Sequence, residues 1–274
     1  MAACTGESNE VPSIVATLLR QKRSVLLTGG AGVGKTHTTH AVIKECIQKN
    51  MTVQQCGTTG ISAIQLPNGR TLHSTFCLPV DFPDHSEVVS RAKSIRHSKK
   101  LSCKRAMKTS NTMDVLVVDE ISMASAWMMD VLDIYLRIFR GNNEPMGGVA
   151  MLAVGDFLQL PPVYVAKSNA PLEQKLLAID SNVWRALTPT IVMLTKVERQ
   201  KETRFSELLS KIRFGCSLNH DEKCVLTESA SSPSAATQSV FVAVRRKTVQ
   251  QVNSRKYENL VREENAHVDY KFPY

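Results

Sequence analysis

The segment GGAGVGKT, Gly29 to Thr36, constrains this chain more than any other stretch. It lies between a short apolar run, SVLLT at Ser24 to Thr28, and a stretch from Thr36 to Gln48 whose apolar Ala41, Val42, Cys46 and Ile47 have helical spacing. Gly29, Gly34, Lys35 and Thr36 fit G-x-x-x-x-G-K-[ST] in the strand-to-helix context that gives this pattern its meaning. Glycines at such a turn let backbone amides and a helix start wrap around phosphate. The pattern predicts a nucleotide site built from Gly29, Gly30, Ala31, Gly32, Val33, Gly34, Lys35, Thr36 and His37. Lys35 would reach the β- and γ-phosphates of ATP, and the Thr36 hydroxyl would ligate Mg2+. The competing reading is a glycine-rich turn that only looks like such a loop.

Four further runs rich in Val, Ile and Leu follow: TVQQC (52–56), DVLVV (114–118), VAMLAV (149–154) and TIVML (190–194). Short apolar runs closed by small or polar residues, with helical patterns between some of them, predict an α/β fold with a parallel sheet covered on both faces. The runs lead into GTTGISA, DEISM, GDFLQLPP and TKVERQ. Ligands of open parallel sheets bind beyond the carboxyl ends of the strands, so these segments should meet GGAGVGKT along one edge.

The chemistry falls on that edge. Asp119 and Glu120 follow Val115 to Val118, so the pair stands at a strand tip. Asp119 suits holding Mg2+, directly or through water, and Glu120 suits orienting and deprotonating an attacking water. The alternative is a helix start capped by acids. Gln159, after GDFL, is placed to sense the γ-phosphate or position water. Arg199, in ERQ, is placed either to stabilise charge on the transferring phosphate across a cleft or as an ordinary surface arginine.

A hydrophobic share of 43% and a charged share of 22% over 274 residues fit a folded chain of about two domains. No apolar run approaches the length of a membrane span and the first residues lack a leader pattern, so neither a membrane protein nor a secreted product is expected. The 7 cysteines are scattered without a C-x-x-C pair, which predicts free thiols in a reducing, intracellular compartment, nuclear or mitochondrial in a eukaryote. The net charge of +9 is local. Arg91, Lys93, Arg96, Lys99, Lys100, Lys104, Arg105 and Lys108 form a stripe without an acid, which reads equally as a solvated mobile loop or as a phosphate-tracking strip or import signal. After Leu194 the pattern changes. Phe205, Leu208, Leu209 and Ile212 predict an amphipathic helix stopped near Gly215, then a polar loop at 229–239, a strand at 240–244 and a helix at 249–260.

GGAGVGKT, TTGISA, GRTLHSTF, VLVVDEISM, GDFLQLPPV, LTKVERQ and FVAVRRKTVQQVN, in this order from Val25 to Asn253, resemble the RecD-like petite-integration-frequency (PIF) DNA helicases of superfamily one. The resemblance implies a RecA-like P-loop NTPase domain over residues 1–194 and the start of an incomplete second RecA-like domain over 195–274. It implies ATP-driven 5′-to-3′ translocation on single-stranded DNA and at DNA junctions, in replication, repair, recombination or telomere maintenance. Lys35, Thr36, Asp119, Glu120, Gln159 and Arg199 take the roles given above. Thr59, Gly60, His73 and Ser74 line the DNA path of the first domain, with Arg245 and Asn253 as counterparts in the second. For His73, a packing role is an equal reading. Two departures stand out: no glutamine occurs around Val11 to Ile14 to read adenine, and Tyr274 precedes the segment where the family places a small inserted barrel and its last motifs. The other readings are a non-motor ATPase remnant that binds single-stranded DNA, and a nucleotide kinase or P-loop switch, which leaves GDFLQLPPV without a purpose.

Overall fold

The computed structural model describes residues 10–163, 176–196, 203–231 and 246–264. Strands β1 (Val25–Gly29), β2 (Val53–Gly57), β3 (Arg70–Thr71), β4 (Val115–Asp119), β5 (Ala150–Gly155) and β6 (Thr190–Leu194) form one parallel sheet in the order β3-β2-β4-β5-β1-β6. Each predicted run is a strand to within a residue. The addition is β3, a two-residue edge strand too short to carry any periodicity.

The alternation of side chains along the strands divides the core in two. Val25, Leu27, Val115, Val117, Leu152 and Val154 point to one face, where α1 (Val11–Arg20) and α2 (Lys35–Gln48) add Val15, Leu19, Val42 and Cys46. Leu26, Leu116, Val118, Met151 and Ala153 point to the other. Beyond the short helices α3 (Gly60–Gln65) and α4 (Leu72–Phe76), that second face is covered by α5 (His85–His97), α6 (Leu101–Thr112) and α7 (Ala126–Arg140). The α7 start is fixed by the Ser125 hydroxyl, which accepts from the Met128 amide, and its end by Gly141 in the left-handed region. Every residue of β4 and β5 is buried, which is why both read as unbroken apolar runs. Each fully buried Leu, Ile or Val on these strands stabilises by about 1.5–3 kcal/mol. Leu116→Ala would also leave a cavity, for a total of about 2–5 kcal/mol.

Most of the basic stripe is helical. Arg91, Lys93 and Arg96 lie on α5 and Lys104, Arg105 and Lys108 on α6, with Lys99 and Lys100 in the short link between; the helices are anchored by buried Val88 and Ala92 and by Cys103, Ala106 and Ser110 at helical spacing. Arg91 is paired with Asp81 and Glu87 at 2.6 Å each, and Arg96 donates to the Ile138 carbonyl at 2.9 Å.

After α8 (Asn182–Leu187) and β6, helix α9 (Thr203–Arg213) matches the predicted amphipathic segment. The chain separates into compact units at residues 1–217 and 218–274, so α9 belongs to the first unit. The second contains α10 (His220–Ser231) and α11 (Arg246–Glu264). Thus α10 carries helix into the stretch read as a polar loop from 229, and α11 is longer than the helix predicted at 249–260. The predicted strand at 240–244 lies outside the described residues. Among the described residues no helix is long and apolar enough to cross a membrane.

Candidate nucleotide-binding site

The strand ends come together as the sequence predicts. Gly29 at the tip of β1 lies level with Leu194 of β6, Thr28 with Gly155 of β5, and Gly57 of β2 with Asp119 of β4. Space and a φ of 153° together require Gly29: a Cβ there would lie 2.4 Å from the Leu194 carbonyl oxygen and 2.9 Å from Val33 Cγ2. Gly34 meets nothing within 4 Å, but its φ of 83° is left-handed and places it as the N-cap of α2. Val33 is buried and anchors the loop, whereas Ala31, Thr36 and His37 are exposed. The Lys35 ammonium donates to the Gly29 and Gly30 carbonyls, each at 2.8 Å, and so folds back over its own loop.

Burial lowers the pKa of Lys35, while Asp156, Glu120 and Asp119 work against that shift and Arg213 works with it. The cations Lys35 and Arg213 and the acids Asp119, Glu120 and Asp156 therefore share one electrostatic cluster. Burial pushes the Asp119 carboxyl above the ordinary carboxylate range, reinforced by neighbouring Glu120; an accepted hydrogen bond from the Glu120 amide at 3.0 Å opposes this. Glu120 has φ 53° and ψ 47°, a left-handed conformation that costs a non-glycine residue about 1–2 kcal/mol. Its side chain makes no capping hydrogen bond to the 3-10 turn Ile121–Met123 that follows. Thr58 ties the end of β2 to this pair: its amide donates to the Asp119 carbonyl at 3.2 Å and its hydroxyl to the Glu120 carbonyl at 3.0 Å.

Asp156 is only 2% exposed. Its carboxylate accepts two hydrogen bonds from Arg213, one from the Leu158 amide at 3.1 Å and one from the Gln159 side-chain amide at 3.1 Å. Burial alone would raise its pKa, but these donors, Arg213 foremost, outweigh it and hold the carboxyl below its ordinary value. Gln159 is thus turned toward Asp156 on the same edge as the loop. Arg213 lies against Gly30 as well and was not singled out from the sequence, where it is one of several basic residues near the end of α9. A cavity of about 390 Å³ opens beside it, lined by Gly30, Val33, Met193, Leu209 and Phe214 among others.

The remaining sites divide by position. Thr59 caps α3, accepting from the Ser62 amide at 3.1 Å, and Gly60 is the exposed first residue of that helix. His73 is half-buried in α4, and burial lowers its pKa, so its imidazole is neutral at pH 7. Ser74 is exposed, its hydroxyl bonded to the Thr71 carbonyl at 3.1 Å. Thr58, Thr59 and His73 line one cavity. Asn253 is exposed on α11 in the second unit. Arg199 and Arg245 lie outside the described residues.

A parallel sheet with a glycine-rich phosphate loop at its switch edge and paired acids at a neighbouring strand tip defines a RecA-like P-loop fold. Residues 6–223 match the PIF1-like helicase family, and the chain belongs to it. It is 36% identical over 209 residues to the ATP-dependent DNA helicase PIF7 of Trypanosoma brucei brucei, covering 76% of this chain and 20% of that protein. Against the ATP-dependent DNA helicase PIF1 of Saccharomyces cerevisiae it is 32% identical over 211 residues, 76% of this chain and 23% of that one. The chain therefore spans about a fifth of the length of these relatives. The crystal structure of Bacteroides Pif1 in complex with ADP-AlF3 and single-stranded DNA aligns with TM-score 0.77 at 27% identity, over 100% of this chain and 61% of that one. Candida albicans Pif1 helicase aligns with TM-score 0.76 at 26% identity, over 93% and 55%.

Proposed function

We propose that this chain is part of a DNA helicase motor that binds Mg2+-ATP on the loop Gly29 to Thr36, hydrolyses it, and couples the cycle to 5′-to-3′ movement on single-stranded DNA and to duplex unwinding. The observation that carries the reading is the electrostatic cluster at the strand tips, where Lys35 stands among Asp119, Glu120 and Asp156. The loop amides and Lys35 bind the triphosphate; Glu120 orients the attacking water and takes its proton; Gln159, positioned by Asp156, reports on the γ-phosphate. Arg199 supplies positive charge to the transferring phosphate.

The residues present fit Mg2+. The cation is typically held by one or two side chains together with substrate phosphates. Asp119 offers a carboxylate whose pKa is raised chiefly by burial, with neighbouring Glu120 adding to it, and Thr36 offers a hydroxyl at the start of α2. Bound there, the metal neutralises charge on the β- and γ-phosphates.

A single-stranded DNA partner is supported by the family and by the strand bound in the Bacteroides relative. Thr59, Gly60, His73 and Ser74 are the contacts proposed for the first unit; Arg245 and Asn253 are the counterparts proposed for the second, taken by itself. The bonds from Thr58 to the backbone of Asp119 and Glu120 supply a direct link between the first-unit contacts and the hydrolytic acids. The test is ATP hydrolysis by the 274-residue chain with and without oligo(dT). Stimulation by the strand, abolished in Lys35→Ala, supports the motor; nucleotide turnover that ignores the strand favours the non-motor remnant.

A further inference from the structure

A second cavity of about 190 Å³ lies apart from the phosphate loop, lined by Thr58, His73, Phe82, Trp127, Pro162 and Val163 among others. Its aromatic wall is a pair: the Phe82 and Trp127 rings meet edge to face with centroids 4.8 Å apart. Phe82 is held there with φ 51°, a left-handed backbone that is uncommon for an aromatic residue and is found where a side chain is placed for function. Both rings remain only partly buried, and Val163 on the rim is 72% exposed. The lining also includes polar residues, Thr58 and His73 among them.

We infer that this cavity receives a single nucleobase of the bound strand, stacked on Trp127. The inference rests on the reading of Thr59, Gly60, His73 and Ser74 as a DNA path. The cavity is below the ~300 Å³ at which pockets for whole small molecules begin. It therefore suits one planar ring, with sugar and phosphate left outside. Flat aromatic faces beside uncharged polar groups bind bases without selecting among them, as a translocating strand requires. Because Thr58 is also bonded to the backbone of Glu120, a base seated here lies one side chain away from the hydrolytic pair. Trp127 is neither within the phosphate loop nor in the acid cluster; its role is to position the strand.

The chain has only 2 tryptophans, and Trp184 packs edge to face on Phe157 against the core, which makes emission a direct readout. The probes are oligo(dT) and an abasic strand of equal length, titrated into the 274-residue chain. The inference expects oligo(dT) to quench tryptophan emission in the wild type and in Trp184→Phe but not in Trp127→Phe. It expects Trp127→Ala to weaken oligo(dT) binding about tenfold while abasic binding stays the same, and Trp127→Phe, which keeps a ring, to lose less. Strand binding with unaltered Trp127 emission, or equal losses on both probes, overturns the base pocket and leaves the DNA path standing. Failure of both probes to bind overturns both.

Discussion

Arg213 grips the buried Asp156 carboxylate at two points, Nε to Oδ2 and Nη2 to Oδ1, each at 2.8 Å. The contact joins the end of α9 to the segment after β5 and fixes the group to which Gln159 is bonded. Asp156 is buried but the Arg213 side chain is 22% exposed, so removing it lets water reach the carboxylate, and Arg213→Ala should cost about 1.5–3 kcal/mol in urea denaturation, the scale of hydrogen bonds to a charged group. Arg213→Lys should recover little, because an ammonium does not reproduce a planar two-point contact. The folded pKa of Asp156 is depressed, so its contribution is fully present above the unfolded carboxylate pKa and is lost as pH falls through the folded value. The stability gap between wild type and Asp156→Asn should therefore close in acid and be widest near neutrality.

Asp119 should behave in the opposite way. Its folded pKa is raised, so the ionised form is a burden on the fold at neutral pH that lifts as pH falls through the folded value. Asp119→Asn should raise the thermal midpoint of the nucleotide-free protein at pH 7 while removing hydrolysis. Glu120→Gln should bind Mg2+-ATP normally and fail to turn it over, and chelation of the metal should match the loss seen in Asp119→Asn. A single melting series with parallel phosphate-release assays checks all three.

Gly29 is required by space and by a positive φ of 153° together, Gly34 by its backbone conformation only. With a Cβ 2.4 Å from the Leu194 carbonyl oxygen, Gly29→Ala forces β1 from β6 and should cost about 1–3 kcal/mol from overpacking, with backbone strain at φ 153° added to it, along with nucleotide binding. Gly34→Ala meets no neighbour within 4 Å, so its cost is that of the left-handed backbone, about 1–2 kcal/mol. Denaturant midpoints of the two variants test this division.

The strands and the phosphate loop were legible because their signals are local: unbroken apolar runs, glycines at fixed offsets, acids directly after Val118. What escaped was non-local or masked by charge. Arg213 finds Asp156 far along the chain, and nothing in the spacing of α9 points there. In α5 and α6 the buried stripe uses small residues, Ala92, Cys103, Ala106 and Ser110, which eight surrounding cations concealed. Phe82 and Trp127 are likewise brought together by folding, from two separate segments.

The helical setting sharpens the expectation for that basic face. Lys99, Lys100, Lys104 and Arg105 are exposed at the junction of α5 and α6. Neutralising each should reduce the slope of log K against log salt for single-stranded DNA by about 0.7 if it contacts a phosphate. Arg91, already paired with Asp81 and Glu87, should leave the slope as it is when replaced by Ala.

The central claim is that the strand-tip loop grips a triphosphate through Lys35. Equilibrium titration of the purified chain with a fluorescent ATP analogue and Mg2+ tests it most directly. Saturable binding by the wild type, abolished in Lys35→Ala, is the predicted result; equal affinity in the two proteins, or none in either, would contradict it.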